Sequence, residues 1–93
     1  MVIGIIQFEL SIPWAESLKD KRSVVKSLKD KVRRKFNVSV AEVGANDEWR
    51  TAMIGMATVG NETKFVQSVC DNVVRWVEEN CEANVEDYEV KIL

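Results

Sequence analysis

The chain contains no histidine. That removes the usual general base and a principal zinc ligand. Ser11, Ser17, Ser23 and Thr51 therefore have no imidazole to activate them as nucleophiles. There are two cysteines, Cys70 and Cys81, too few thiols for a zinc site without histidine. Both fall in one expected helix, where a rise of 1.5 Å per residue sets them about 16 Å apart, beyond disulfide reach. They read as buried reduced thiols, and a reducing cytoplasm is the expected compartment. No metal or cofactor is expected. Long apolar runs are also missing, so no segment reads as a membrane span. Met1 to Ile6 lacks a leading basic region and a small-residue cleavage site, and reads as a strand, not a signal peptide. One proline and four glycines go with the lack of any repeat, linker or low-complexity stretch.

What is present is a folding composition. Hydrophobic residues make up 46% of 93 residues, which suits one domain spanning 1–93. The net charge of −2 hides a lopsided distribution. From Ser17 to Phe36 there are nine Lys or Arg against Asp20 and Asp30, so that segment carries +7 and the remainder −9. Such asymmetry points to an electrostatic face.

The periodicity changes along the chain in an ordered way. Ile6, Phe8, Leu10 and Ile12 alternate with Gln7, Glu9 and Ser11, as in a half-buried strand that Pro13 ends. Ser17 and Asp20 resemble a capping box. Leu18, Val25, Leu28, Val32 and Phe36 then recur at helical spacing, predicting an amphipathic helix from Leu18 to Phe36. Val38 to Val43 and Thr51 to Val59 read as strands joined by a polar connection of hairpin length. Asn61 is the expected cap of a second helix carrying Val66, Val69, Val73 and Val77. Val85 to Leu93 is the last strand, with Tyr88, Val90 and Ile92 inward. The order β-α-β-β-α-β fits an α+β, ferredoxin-like split βαβ sandwich, with both helices on one face of an antiparallel sheet.

The basic helix is the sharpest functional feature. Lys19, Arg22, Lys26, Lys29 and Arg33 follow i, i+3, i+7, i+10, i+14, a stripe about 100° from the apolar one. Lys21, Lys31, Arg34 and Lys35 widen it. A solvated helix face is the plain alternative. Yet solvated faces mix signs, and Lys19, Lys21 and Arg22 occupy the first turns, where the helix dipole disfavours cations by roughly 0.3–1 kcal/mol each. That arrangement suits a phosphate-bearing partner. Trp14, in the connection before the helix, is a candidate for base stacking; Trp49 suits packing or an interface. Trp76 reads as core edge. Glu9, Glu42, Asp47 and Glu48 show no pairing in an apolar pocket, as acid–base catalysis requires. A phosphate-cradling turn needs glycines, and Ile12 to Glu16 has none. On the sheet face away from the helices, alternation assigns Ile3, Ile5, Ala41 and Val43, more apolar surface than a lone solvated sheet needs; burying them in a symmetric dimer is the simplest remedy.

Three segments carry a resemblance: Ser17 to Ser23 (Ser-Leu-Lys-Asp-Lys-Arg-Ser), Phe36 to Glu42 (Phe-Asn-Val-Ser-Val-Ala-Glu), and Asp47-Glu-Trp49. Together they resemble the signature of the YlxP-like bacterial family of small proteins of unknown function, over nearly the whole chain. The resemblance implies a ferredoxin-like fold, a bacterial cytosolic protein and, from the family's frequent encoding beside translation and ribosome-maturation genes, an RNA or ribosomal setting. It implies no catalytic residue. The chain departs from the family at Asn46 and Arg50, where Gln is frequent, and at Trp14, where a smaller residue is frequent. The expected function is thus a non-enzymatic binding module that meets RNA or the ribosome through Lys19, Lys21, Arg22, Lys26, Lys29 and Arg33, with Trp14 stacking. The alternative is a homodimeric protein-interaction or small-ligand module acting through the open sheet face.

Overall fold

Six elements appear in the computed structural model, which describes residues 1–93 throughout. They are β1 (Val2–Ser11), α1 (Leu18–Lys35), β2 (Ser39–Gly44), β3 (Thr51–Gly60), α2 (Thr63–Asn80) and β4 (Asn84–Ile92). The sheet order is β2-β3-β1-β4, and every neighbouring pair is antiparallel. This is the ferredoxin-like split βαβ arrangement. No helix is long and apolar enough to cross a membrane.

The strands obey the two-residue alternation. Ile6, Phe8 and Leu10 of β1 are buried, and so are their cross-strand partners Met56, Ile54 and Ala52 of β3. Both helices cover this side: Val25, Leu28 and Val32 from α1 join Val66, Val73 and Val77 from α2 in one core. α1 lies over β2, and α2 over β1, β3 and β4. The inward side chains of β4 therefore lie beneath α2, and not beneath α1. Gly4 marks the closest approach of α2 to β1, because a β-carbon there would stand 2.6 Å from the Cys70 sulfur.

Local chemistry decides the helix starts. Ser17 is the N-cap of α1, and its hydroxyl accepts from the Asp20 N–H at 3.1 Å. The Asp20 carboxylate accepts in return from the Glu16 N–H, one residue before the position a capping box uses. In α2 the cap is Glu62, not Asn61, and it makes no side-chain capping bond. Tyr88 stands opposite Phe8 on the helix side, its ring centroid 6.3 Å away. It lies on an edge strand, so 47% of it remains exposed.

Two register shifts complete the sheet. One falls at Glu86 in β4, which brings Val85 onto the same side as Tyr88. The other falls at Val43 in β2. It leaves Glu42 facing the helices and sets Val43 against Gly55 on the open side, where a β-carbon on Gly55 would approach the Val43 side chain to 2.9 Å.

Candidate functional site

The first helix splits its cations between two environments. Lys19, Arg22, Lys26 and Arg33 are exposed and Lys29 is half-buried, so this row reaches solvent as the spacing predicted. Lys21 does not. It is completely buried, and its Nζ donates to the Ala45 carbonyl at 2.6 Å and the Thr51 carbonyl at 3.1 Å. Glu42 Oε2 lies 2.9 Å from the same nitrogen and has no other partner. Lys21 is thereby removed from the set of phosphate-binding residues. Periodicity is the physical reason: Lys21 precedes Val25, Leu28 and Val32 by four, seven and eleven residues, the spacing of the buried face. Glu42 follows Val40 by two on the inward side of β2, so the partner was legible as well.

This buried pair fixes the β2–β3 connection. Ala45 has φ 57°, a left-handed conformation that a residue with a β-carbon adopts at a cost. Lys21 holds its carbonyl there. The same connection is tied to the one between β1 and α1: Arg50 Nε donates to the Ala15 carbonyl at 3.0 Å, and the Ile12 N–H to the Arg50 carbonyl at 2.9 Å. Trp14 and Trp49, carried by these joined loops, are both about half exposed, at 51% and 50%. They sit at the end of the molecule where α1 begins. Trp76 instead packs edge-on against Phe36, with centroids 6.1 Å apart, at the margin of the core.

The exposed row runs along the β2 side of α1. Arg33 shows this, because its guanidinium reaches over to donate to the Val40 carbonyl at 2.9 Å. Lys31 lies on the other flank, in a cleft with Asn80, the last residue of α2, and Cys81, which caps it. Within the row, Lys26 pairs with Asp30 at 2.9 Å. Hydrogen bonding from Lys26 holds the Asp30 carboxyl below its ordinary value, opposed by slight desolvation and helped by the charges of Lys26, Arg34 and Arg33. Lys19, Arg22 and Lys29 make no ion pair.

The opposite side of the sheet is different in character. Ile3 and Ile5 are half-buried there, and Ala41 and Val43 are exposed. Ile5, Ala41 and Val43 border an apolar groove of about 400 Å³. The side chains of β1 and β3 on this face include no aromatic ring on which a base can stack. Glu9, Asp87 and Glu89 lie side by side at its β4 margin. The two thiols are not activated: burial pushes Cys70 up, with the charge of Asp71 adding, and burial also dominates the rise at Cys81.

A profile described as "Protein of unknown function (DUF503)" matches residues 3–90. The chain belongs to this family. It is 34% identical over 77 residues to the uncharacterised protein YlxP of Bacillus subtilis (strain 168), covering 83% of this chain and 84% of that one. Among solved structures, a de novo designed protein with ferredoxin fold is similar at TM-score 0.55 and 13% identity, covering 100% of this chain and 84% of the other. An antibiotic biosynthesis monooxygenase is similar at TM-score 0.51 and 14% identity, with 100% and 96% covered. At such identities these likenesses establish the ferredoxin-like fold and nothing of activity. The family itself is uncharacterised.

Proposed function

We propose that this protein is a non-enzymatic binding module that takes structured RNA, in a ribosomal setting, on the exposed flank of α1. The observation that carries the reading is the row Lys19, Arg22, Lys26, Lys29 and Arg33, in which only Lys26 has an acidic partner, on a chain that is acidic elsewhere. A straight row over four turns spans about 21 Å and meets phosphates without reading bases. Trp14, half exposed before the first turn, is the stacking candidate. The raised thiols supply no activated nucleophile, and the neighbouring carboxylates Glu9, Asp87 and Glu89 are all exposed and not in an apolar pocket, which supports binding over catalysis.

The test is fluorescence anisotropy of a labelled ribosomal RNA hairpin at several salt concentrations. Affinity is expected to fall steeply with salt, because each phosphate contact releases counterions. Lys26→Glu with Lys29→Glu is expected to weaken binding on all sequences and flatten the salt dependence, whereas Lys64→Glu changes little. Absence of binding at low salt overturns the reading, as does a double reversal that binds like the parent.

A second reading is a protein-interaction module acting through the open sheet face, as a homodimer or with another chain. Its support is the apolar surface of Ile3, Ile5, Ala41 and Val43 on one side of the sheet. Sedimentation at tens of micromolar, a weak-dimer range, separates the homodimer from the heterologous complex.

A further inference from the structure

The open sheet face is built in rows that the strand register defines. Val59 stands beside Ile3, Ala57 beside Ile5, Gly55 beside Gln7, and Met53 beside Glu9. Ala41 adjoins Gly55 on the β2 side, and Lys91, Glu89 and Asp87 continue the rows on β4. The surface is therefore divided. Its β2–β3 half is a groove with a floor of small residues, Ala41, Gly55 and Ala57, walled by Ile5 and Val43. Its β1–β4 margin is acidic, with Glu9, Asp87 and Glu89 all exposed. Lys91 offsets one of these charges, 3.6 Å from Glu89. Glu9 and Asp87 have no cationic partner.

We propose that this face docks a cationic amphipathic helix of another protein, with its apolar side chains in the groove and its Lys or Arg flank on Glu9, Asp87 and Glu89. The inference rests on the second reading above, interaction through the open face, and names the occupant. Three observations select it. The groove floor has almost no side chains, so knobs from a helix can enter between Ile5 and Val43. The acidic margin requires cations from whatever covers it. A second copy of this chain does not supply them: β1 is a central strand, so a sheet-on-sheet dimer desolvates Glu9 and brings further carboxylates against only one lysine per face. RNA is disfavoured by the same charges. An added strand along the free edge of β2 is disfavoured too, because Arg33 already occupies the Val40 carbonyl and the irregularity at Val43 interrupts the ladder.

The experiment uses the full chain, isotope-labelled, titrated with a synthetic four-turn amphipathic helix of Leu and Lys and with its Leu and Glu counterpart. Amide shifts are expected on β1, β2 and β3 with the Leu/Lys peptide and not with the Leu/Glu one. Ala57→Arg, at an exposed position in the groove, is expected to weaken that binding by about tenfold or more, and Glu9→Lys with Asp87→Lys by a similar factor. The proposal is overturned if the Leu/Glu peptide binds as well, if the shifts map to α2, or if either variant binds like the parent. It is also overturned if the protein sediments as a dimer that Ala57→Arg dissociates. That last result keeps the open-face reading and replaces the occupant, whereas shifts away from the sheet remove both.

Discussion

The two helices have the same length and the same structural task, yet they were built to different surface specifications. α1 and α2 each run 18 residues and contribute valine-rich stripes to one core. α2 carries Lys64 and Arg75 against Asp71, Glu78 and Glu79, a balanced exterior that solvation alone accounts for. α1 carries nine cations against Asp20 and Asp30. It begins with a working cap at Ser17, while α2 begins without a side-chain cap. Since α2 shows that covering this sheet requires no cationic exterior, the charge on α1 is a feature added to the fold. Lys21 is the exception, because it serves the interior.

That exception supplies the sharpest way to break the comparison. Lys21→Ala leaves the Glu42 carboxylate facing an unpaired interior, and a loss of about 3–5 kcal/mol in unfolding free energy is expected by urea denaturation. On the outer row, the exposed Lys26 and the half-buried Lys29, changed to Ala, are expected to stay within about 0.5 kcal/mol of the parent. A Lys21→Ala protein as stable as Lys26→Ala would erase the distinction between the inner and outer cations of α1. Next in size is Leu28→Ala, where 4% exposure predicts a cost of about 2–5 kcal/mol in the same assay. The caps give the smallest effects and opposite signs. Ser17→Ala is expected to cost about 1 kcal/mol, and Glu62→Ser to add roughly 0.5–1 kcal/mol by giving α2 the bond it lacks. Equal and negligible changes at both caps would show that the helix starts are held by packing alone.

Much of this molecule was legible in one dimension. Alternation in β1 and the helical spacing of Val25, Leu28 and Val32 identified elements whose observed ends differ by a residue or two. The open-face positions of Ile3, Ile5 and Ala41 follow from that alternation alone. Val43, two residues beyond Ala41, follows from it as well; what no pattern announces is the irregularity between Glu42 and Gly44 that lays Val43 over Gly55. Asn61 looked like a cap because asparagine suits the role, but α2 starts at Thr63, so the cap position falls on Glu62. Charge patterning found the basic row and overextended it. Lys21 has the side-chain type of a solvent-facing residue, but its spacing places it with the buried valines.

The linear order of apolar and polar residues by itself determined six elements, the two-layer architecture and the sign of the exposed charge on α1. Each of these follows from periodicity, because a strand or helix must bury one face whatever its neighbours are. Tertiary structure decided where Lys21 points, what Ala45 and Thr51 do with their carbonyls, and which apolar strand face is left beside an acidic margin. Those outcomes depend on contacts between segments far apart in the chain. A cation belongs in the interior only where a carboxylate and turn carbonyls converge on it, and that convergence exists only once the hairpin and the helix have packed.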